Sequence, residues 1–164
     1  MRSPSVSESL EAHRLIDQGA ALLNLGEAER AASSFKVSYE LAPSAAALDG
    51  LGCAAFISGD LGLAEVYFVQ AYQMDRDYHN SLANLAMLYE MQGRLSEADR
   101  LHKYAIESNP TNFRARNNFG VFLSEYKSGS EGLKPLVKGE LLKAEALADD
   151  PLIIDNIEKL ERGG

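Results

Sequence analysis

The chain has 164 residues, 46% of them apolar, with 24 Asp/Glu against 16 Lys/Arg for a net charge of −8, and a single cysteine. That size fits one domain with a continuous core, no apolar run approaches the roughly 20 residues of a membrane span, and one cysteine excludes an internal disulfide framework. The acidity is uneven, with 5 Lys/Arg against 11 Asp/Glu in residues 1–78; this argues against a nucleic-acid backbone as partner and otherwise serves solubility.

Residues 1–7 form a short polar lead in which Ser5-Val6-Ser7-Glu8 offers a capping box. The first predicted helix runs from about Glu8 to Leu25 and stops at Gly26; Glu27 to Leu41 returns, and Pro43 closes the pair because proline cannot continue a helix. Ser44 is an N-cap for the Ala45-Ala46-Ala47-Leu48 run, Gly59-Asp60 makes the next turn, and Leu61 to Met74 returns. Asp75 to Tyr78 replaces a closing proline. Two further amphipathic helices meet at Gln92-Gly93-Arg94 and close at Pro110. Leu82, Leu85, Ala86 and Tyr89 share one face of the first, and Ala98, Ala105 and Ile106 one face of the second. The next helix spans about Asn112 to Tyr126 and is followed by a looser turn at Lys127-Ser128-Gly129-Ser130. Pro135 either kinks the return helix or is the first residue of a shortened one starting near Lys134. Asp150-Pro151 opens a last helix to about Arg162, apolar at Leu152, Ile153, Ile157 and Leu160 and charged opposite, which is expected to cap the array.

Small residues recur where two helices would cross most closely. Ala86 is matched by Gly52, Gly19 and Gly120; Ala98 by Ala64, Ala31 and Gly132; Ala105 by Ala71, Ser38 and Gly139, in steps of 33 or 34 residues. The large sites agree less uniformly: Leu15, Leu48 and Leu82 are followed by Arg116, and Phe35 and Phe68 by His102 and Leu136. Pro43 and Pro110 are replaced by Arg76 and Ala144. This pattern resembles the tetratricopeptide (TPR) repeat. The resemblance implies an all-α superhelical solenoid of antiparallel helix pairs, with repeats at about 12–44, 45–78, 79–112 and a divergent 113–146. A capping helix at about 151–162 completes a single domain over 8–164.

No constellation suited to catalysis or metal binding emerges. His13, His79 and His102 lie on different repeats without ligand spacing, His102 at a packing site and therefore a partly buried structural residue. Asp75-Arg76-Asp77 lacks the rest of a calcium loop, no glycine-rich phosphate loop follows a strand, and Cys53 has no basic neighbour. Neither an enzyme activity nor a cofactor is expected.

The resemblance also implies a binding groove lined by the first helix of each pair. Carried onto this sequence, its positions are Ile16, Asp17, Ala20, Leu23 and Asn24; Asp49, Gly50, Cys53, Phe56 and Ile57; Ala83, Asn84, Met87, Glu90 and Met91; and Asn117, Asn118, Val121, Ser124 and Glu125. Leu23, Cys53, Phe56, Ile57, Met87, Met91 and Val121 form an apolar stripe flanked by amides, suited to a helix or an extended peptide. Part of the stripe can equally pack on neighbouring helices. TPR domains that clamp a C-terminal carboxylate use Lys, Asn and Arg where this chain has Ile16, Asp49 and Ala83, so that ligand class is not expected.

Asn117-Asn118-Phe119-Gly120-Val121-Phe122-Leu123 resembles the last repeat of TPR lipoproteins of bacterial pilus assembly, the type IV pilus pilotins and the tight-adherence TPR protein. Those proteins carry a lipid-modified cysteine after a signal peptide, and this sequence shows neither. The reading is a scaffold that binds a peptide or helix of another protein, in pilus or secretion assembly, without nucleic acid and without inserting into a membrane. The alternative is a self-associating adaptor or an enzyme regulator in the cytoplasm. The expected compartment is cytoplasmic for the chain as it stands, and the periplasm or outer membrane if a signal has been removed.

Overall fold

Caps and left-handed glycines set the helix limits. In the computed structural model, which describes residues 3–126, 134–148 and 150–162, those residues form nine α-helices and no strand. The chain separates into two compact units, Met1–Leu88 and Tyr89–Gly164.

The first unit holds α1 (Val6–Asn24), α2 (Ala28–Leu41), α3 (Ala45–Ile57), α4 (Leu61–Met74) and the first turns of α5 (Asn80–Met91). Ser5 caps α1 through the expected capping box: its Oγ accepts from the Glu8 amide at 3.2 Å, and the Glu8 carboxylate accepts from the Ser5 amide at 2.6 Å. The helix therefore begins at Val6, two residues earlier than its apolar pattern suggests. Ser44 and Asp60 cap α3 and α4 by accepting from first-turn amides in the same way. Gly26 and Gly59 adopt φ of 75° and 83°, and the amides of Glu27 and Asp60 return to the carbonyls of Leu22 and Ala55 at 2.9 Å. Both turns are thus helix-terminating motifs in which only glycine avoids a Cβ penalty.

Pairs α1/α2 and α3/α4 pack as antiparallel hairpins, with α3 laid against both α1 and α2. The Phe35 ring wedges between two glycines: a methyl group on Gly19 would lie 2.7 Å from it, and one on Gly50 closer still. Phe68 occupies the same place against Gly52. Around Phe35 the core gathers Leu22, Ala31, Leu48, Leu51 and Ala71.

The second unit holds the last turn of α5 with α6 (Leu95–Ser108), α7 (Phe113–Tyr126), α8 (Lys134–Glu145) and α9 (Pro151–Arg162). Gly93, at φ 71°, repeats the turn of the first unit. His102 is buried, as its packing site implies; it shares a 2.7 Å hydrogen bond with Glu90 and lies 5.1 Å from the Phe122 ring. Pro135 falls in the first turn of α8, where its missing N–H costs nothing.

The register of α8 differs from the expected one. Leu136 is 43% exposed, and nothing approaches within 4 Å of a Cβ placed on Gly139. Gly120 instead meets Leu141 at 2.8 Å, and Val137, Leu141 and Ala144 are buried. These three reproduce the spacing of Ala31, Phe35 and Ser38, so α8 is displaced by five residues from the 34-residue step. Ala144 is a close-contact site, not the closing position. The expected small site Gly132 and the turn at Lys127-Ser128-Gly129-Ser130 lie outside the described residues.

Arg116 breaks the apolar series of Leu48 and Leu82 for a visible reason. Its guanidinium lies 2.8 Å from Glu140, which also takes Lys143 at 2.7 Å. Burial pushes the Glu140 carboxyl up, but the bonds from Lys143 and Arg116 outweigh it and hold the group below the usual carboxylate range. Finally, α9 packs on α7 and α8 much as α3 packs on α1 and α2. It buries Ile153 and lays Ile157 and Leu160 on the core, while Leu152 turns outward at 59% exposure.

Candidate functional site

The expected groove residues fall into two sets, one in each unit. In the first, α1 contributes Leu23, α3 contributes Asp49, Cys53, Phe56 and Ile57, and α5 contributes Asn84 and Met87. Leu23 leans onto the core around Phe35 and is half-buried. Ile57 is 49% and Met87 42% exposed, with Phe56 between the extremes. Gly50, counted among the groove positions, faces Phe35 instead.

Asp49 is buried at 6% exposure among neutral donors. The Asn84 amide donates to Oδ1 at 2.9 Å, and the Tyr78 hydroxyl reaches Oδ2 at 3.4 Å, near the limit for a hydrogen bond. Asn84 also approaches Cys53 Sγ at 3.5 Å, and Asn80 donates to Tyr78. Burial pushes the Asp49 carboxyl up to about 6, with the Asn84 and Tyr78 bonds working against it. Burial, reinforced by Asp49, pushes both the Cys53 thiol and the Tyr78 hydroxyl up to about 12. Both therefore keep their protons at neutral pH, which leaves Asp49 as the group in this cluster that carries charge.

Tyr78 is a site residue that the groove positions do not include. A signal is present in the register. Ser44 and Asn112 cap α3 and α7 at the equivalent step, whereas a tyrosine cannot accept from the first-turn amides in that way. Its hydroxyl reaches Asp49 instead.

In the second unit Met91 is 61% exposed, and Asn118 and Val121 are half-buried. Asn117 is buried, and its Oδ1 accepts from Asn156 of α9 at 2.9 Å. Its amide is engaged by the chain's own last helix. Among the described residues no three His, Cys, Asp or Glu side chains converge as a metal site. No helix of the described residues is long and apolar enough to cross a membrane.

No known protein-family profile matches the sequence. An uncharacterized protein of Haemophilus influenzae is 34% identical over 65 residues, which are 40% of this chain and 36% of that protein; the match spans about a third of the relative's length. Among solved structures, PilF of Pseudomonas aeruginosa superposes with a TM-score of 0.78 at 20% identity, over 96% of this chain and 70% of PilF. TTC0263, a thermophilic TPR protein of Thermus thermophilus, gives 0.77 at 20% identity, over 93% and 82%. The chain has the TPR fold. The first TPR of Spaghetti (RPAP3), bound to the HSP90 peptide SRMEEVD, superposes at 0.63 with 20% identity, over 70% of this chain and 94% of that one.

Proposed function

We propose that this TPR protein is a non-enzymatic scaffold that binds a segment of a partner protein on the face formed by α1, α3 and the start of α5. The observation that carries the reading is the exposure of Ile57 on α3 and Met87 on α5, both at groove positions, with half-buried Phe56 preceding Ile57. Exposed apolar side chains clustered on one face mark interaction surfaces more often than chance, and methionine adapts to varied ligands. Peptide binding by the Spaghetti (RPAP3) TPR shows that the fold can serve this role. The Asn117–Leu123 run and the fold likeness to PilF support a setting in pilus or secretion assembly.

Affinity capture from the source organism tests the reading, with wild type compared against Phe56→Glu combined with Met87→Glu. Circular dichroism should first show both proteins equally helical. A pilus or secretion subunit retained by wild type and lost by the double variant is the expected result; identical captures would refute binding through this face.

Self-association is a second reading, favoured by Val6 and Leu10 on α1, which are 80% and 67% exposed. A mass that rises with concentration in sedimentation would support it.

A further inference from the structure

A carboxylate removed from water is ordinarily paired with a cation or neutralised. Among the described residues Asp49 has neither a lysine nor an arginine as hydrogen-bond partner; its partners are the Asn84 amide and the Tyr78 hydroxyl. No cation is near at hand in the sequence of its face either. Helix α3 and residues 80–88 contain no Lys or Arg, and the one such residue on α1, Arg14, is paired with Glu11 at 2.6 Å. Asp17, exposed on α1, adds a second carboxylate. The immediate surroundings of Asp49 are half-buried or apolar, with Phe56, Ile57 and Met87 further along the same helices.

Resting on the binding reading above, we propose that this face takes a peptide segment in which a lysine or arginine is flanked by apolar residues, the cation lying against Asp49 and the apolar residues against Phe56, Ile57 and Met87. Charge complementarity selects this occupant. An acidic or C-terminal carboxylate segment would meet the carboxylates of Asp49 and Asp17 and no Lys or Arg from α3 or residues 80–88, at a cost in repulsion; Arg76, in the connection before α5, lies over the Tyr72 ring. Oδ2 has only the long Tyr78 contact, so an arginine fork that displaces the covering Tyr78 hydroxyl would take its place there while sharing Oδ1 with Asn84. The raised carboxyl of Asp49 fits an anion without a counter-charge, since a bound cation would offset the cost that burial places on its ionised form.

The test is selection of random dodecapeptides displayed on phage, at pH 7.5, against the full chain as wild type, as Asp49→Asn, and as Phe56→Glu with Met87→Glu. Asp49→Asn preserves shape and keeps an acceptor for Asn84, with Tyr78 turned from donor to acceptor, and circular dichroism confirms its fold. Wild type should enrich peptides with a basic residue between apolar ones. A synthetic peptide of that sequence should bind Asp49→Asn about tenfold more weakly in fluorescence anisotropy, and replacing its basic residue by Gln should cost little more on the Asp49→Asn background. Enriched peptides without a basic bias, or equal binding to Asp49→Asn, overturn the cation assignment. If such peptides still depend on Phe56 and Met87, the binding face stands without it. If wild type enriches nothing beyond the Phe56→Glu, Met87→Glu protein, both proposals fall.

Discussion

Burial raises the Asp49 carboxyl to about 6 from the 3.8 that an unfolded chain would show. The folded state therefore binds the proton more tightly. Below pH 3.8 both states are protonated and the carboxyl costs nothing; as pH rises the unfolded chain ionises first, and above pH 6 the full penalty applies. Asp49→Asn should accordingly stabilise the protein at pH 8 by on the order of 2–3 kcal/mol, with the gain vanishing near pH 4 in urea titrations. A gain independent of pH would show that the carboxyl is not desolvated. The sequence places Asp49 at an expected groove position but does not show its burial, because the covering groups, Tyr78 and Asn84, lie 29 and 35 residues downstream. Arg116 is similar: in sequence it interrupts an apolar series, and only the approach of Glu140 across 24 residues makes it a buried ion pair.

Among the elements, α1 to α7 are legible in the sequence because their signals are local and repeated. Ser5, Ser44 and Asp60 supply caps, and the three turn glycines take the same left-handed conformation. The repeat step misplaces α8 because a five-residue displacement happens to leave Gly132 and Gly139 at the expected steps. Small residues are frequent enough to satisfy such a pattern without being at a helix crossing. The two registers both make Gly120 a close contact and predict opposite effects at Gly139. Gly120→Ala should destabilise by about 1–3 kcal/mol, since its methyl would press on Leu141. Gly139→Ala, in a helix with nothing near its Cβ, should stabilise by about 0.5–1 kcal/mol. Thermal unfolding of both variants would decide between the registers.

At the scale of the whole molecule, a stacked array must cover the apolar face left at each end. Helix α9 covers an apolar face of α7 and α8 by burying Ile153 and packing Ile157 and Leu160 on the core that contains Phe119, Phe122 and Leu141. A chain stopped at Asp150 should lose about 3–5 kcal/mol, from roughly 1.5–3 kcal/mol for each buried isoleucine or leucine less partial exposure. It should also bind a dye for exposed apolar surface. Unchanged urea unfolding would assign α9 some role other than a cap.

Helix content and the pairing of α1 with α2 and of α3 with α4 follow from periodicity, caps and turn glycines, all of which act within a few residues of themselves. The seat of α8, the burial of Asp49 beneath Tyr78 and Asn84, and the engagement of Asn117 by α9 required the folded chain. Each depends on which distant side chain fills a given space, and apart from the missing cap at Tyr78, packing of that kind leaves no mark in the spacing of residues along the sequence.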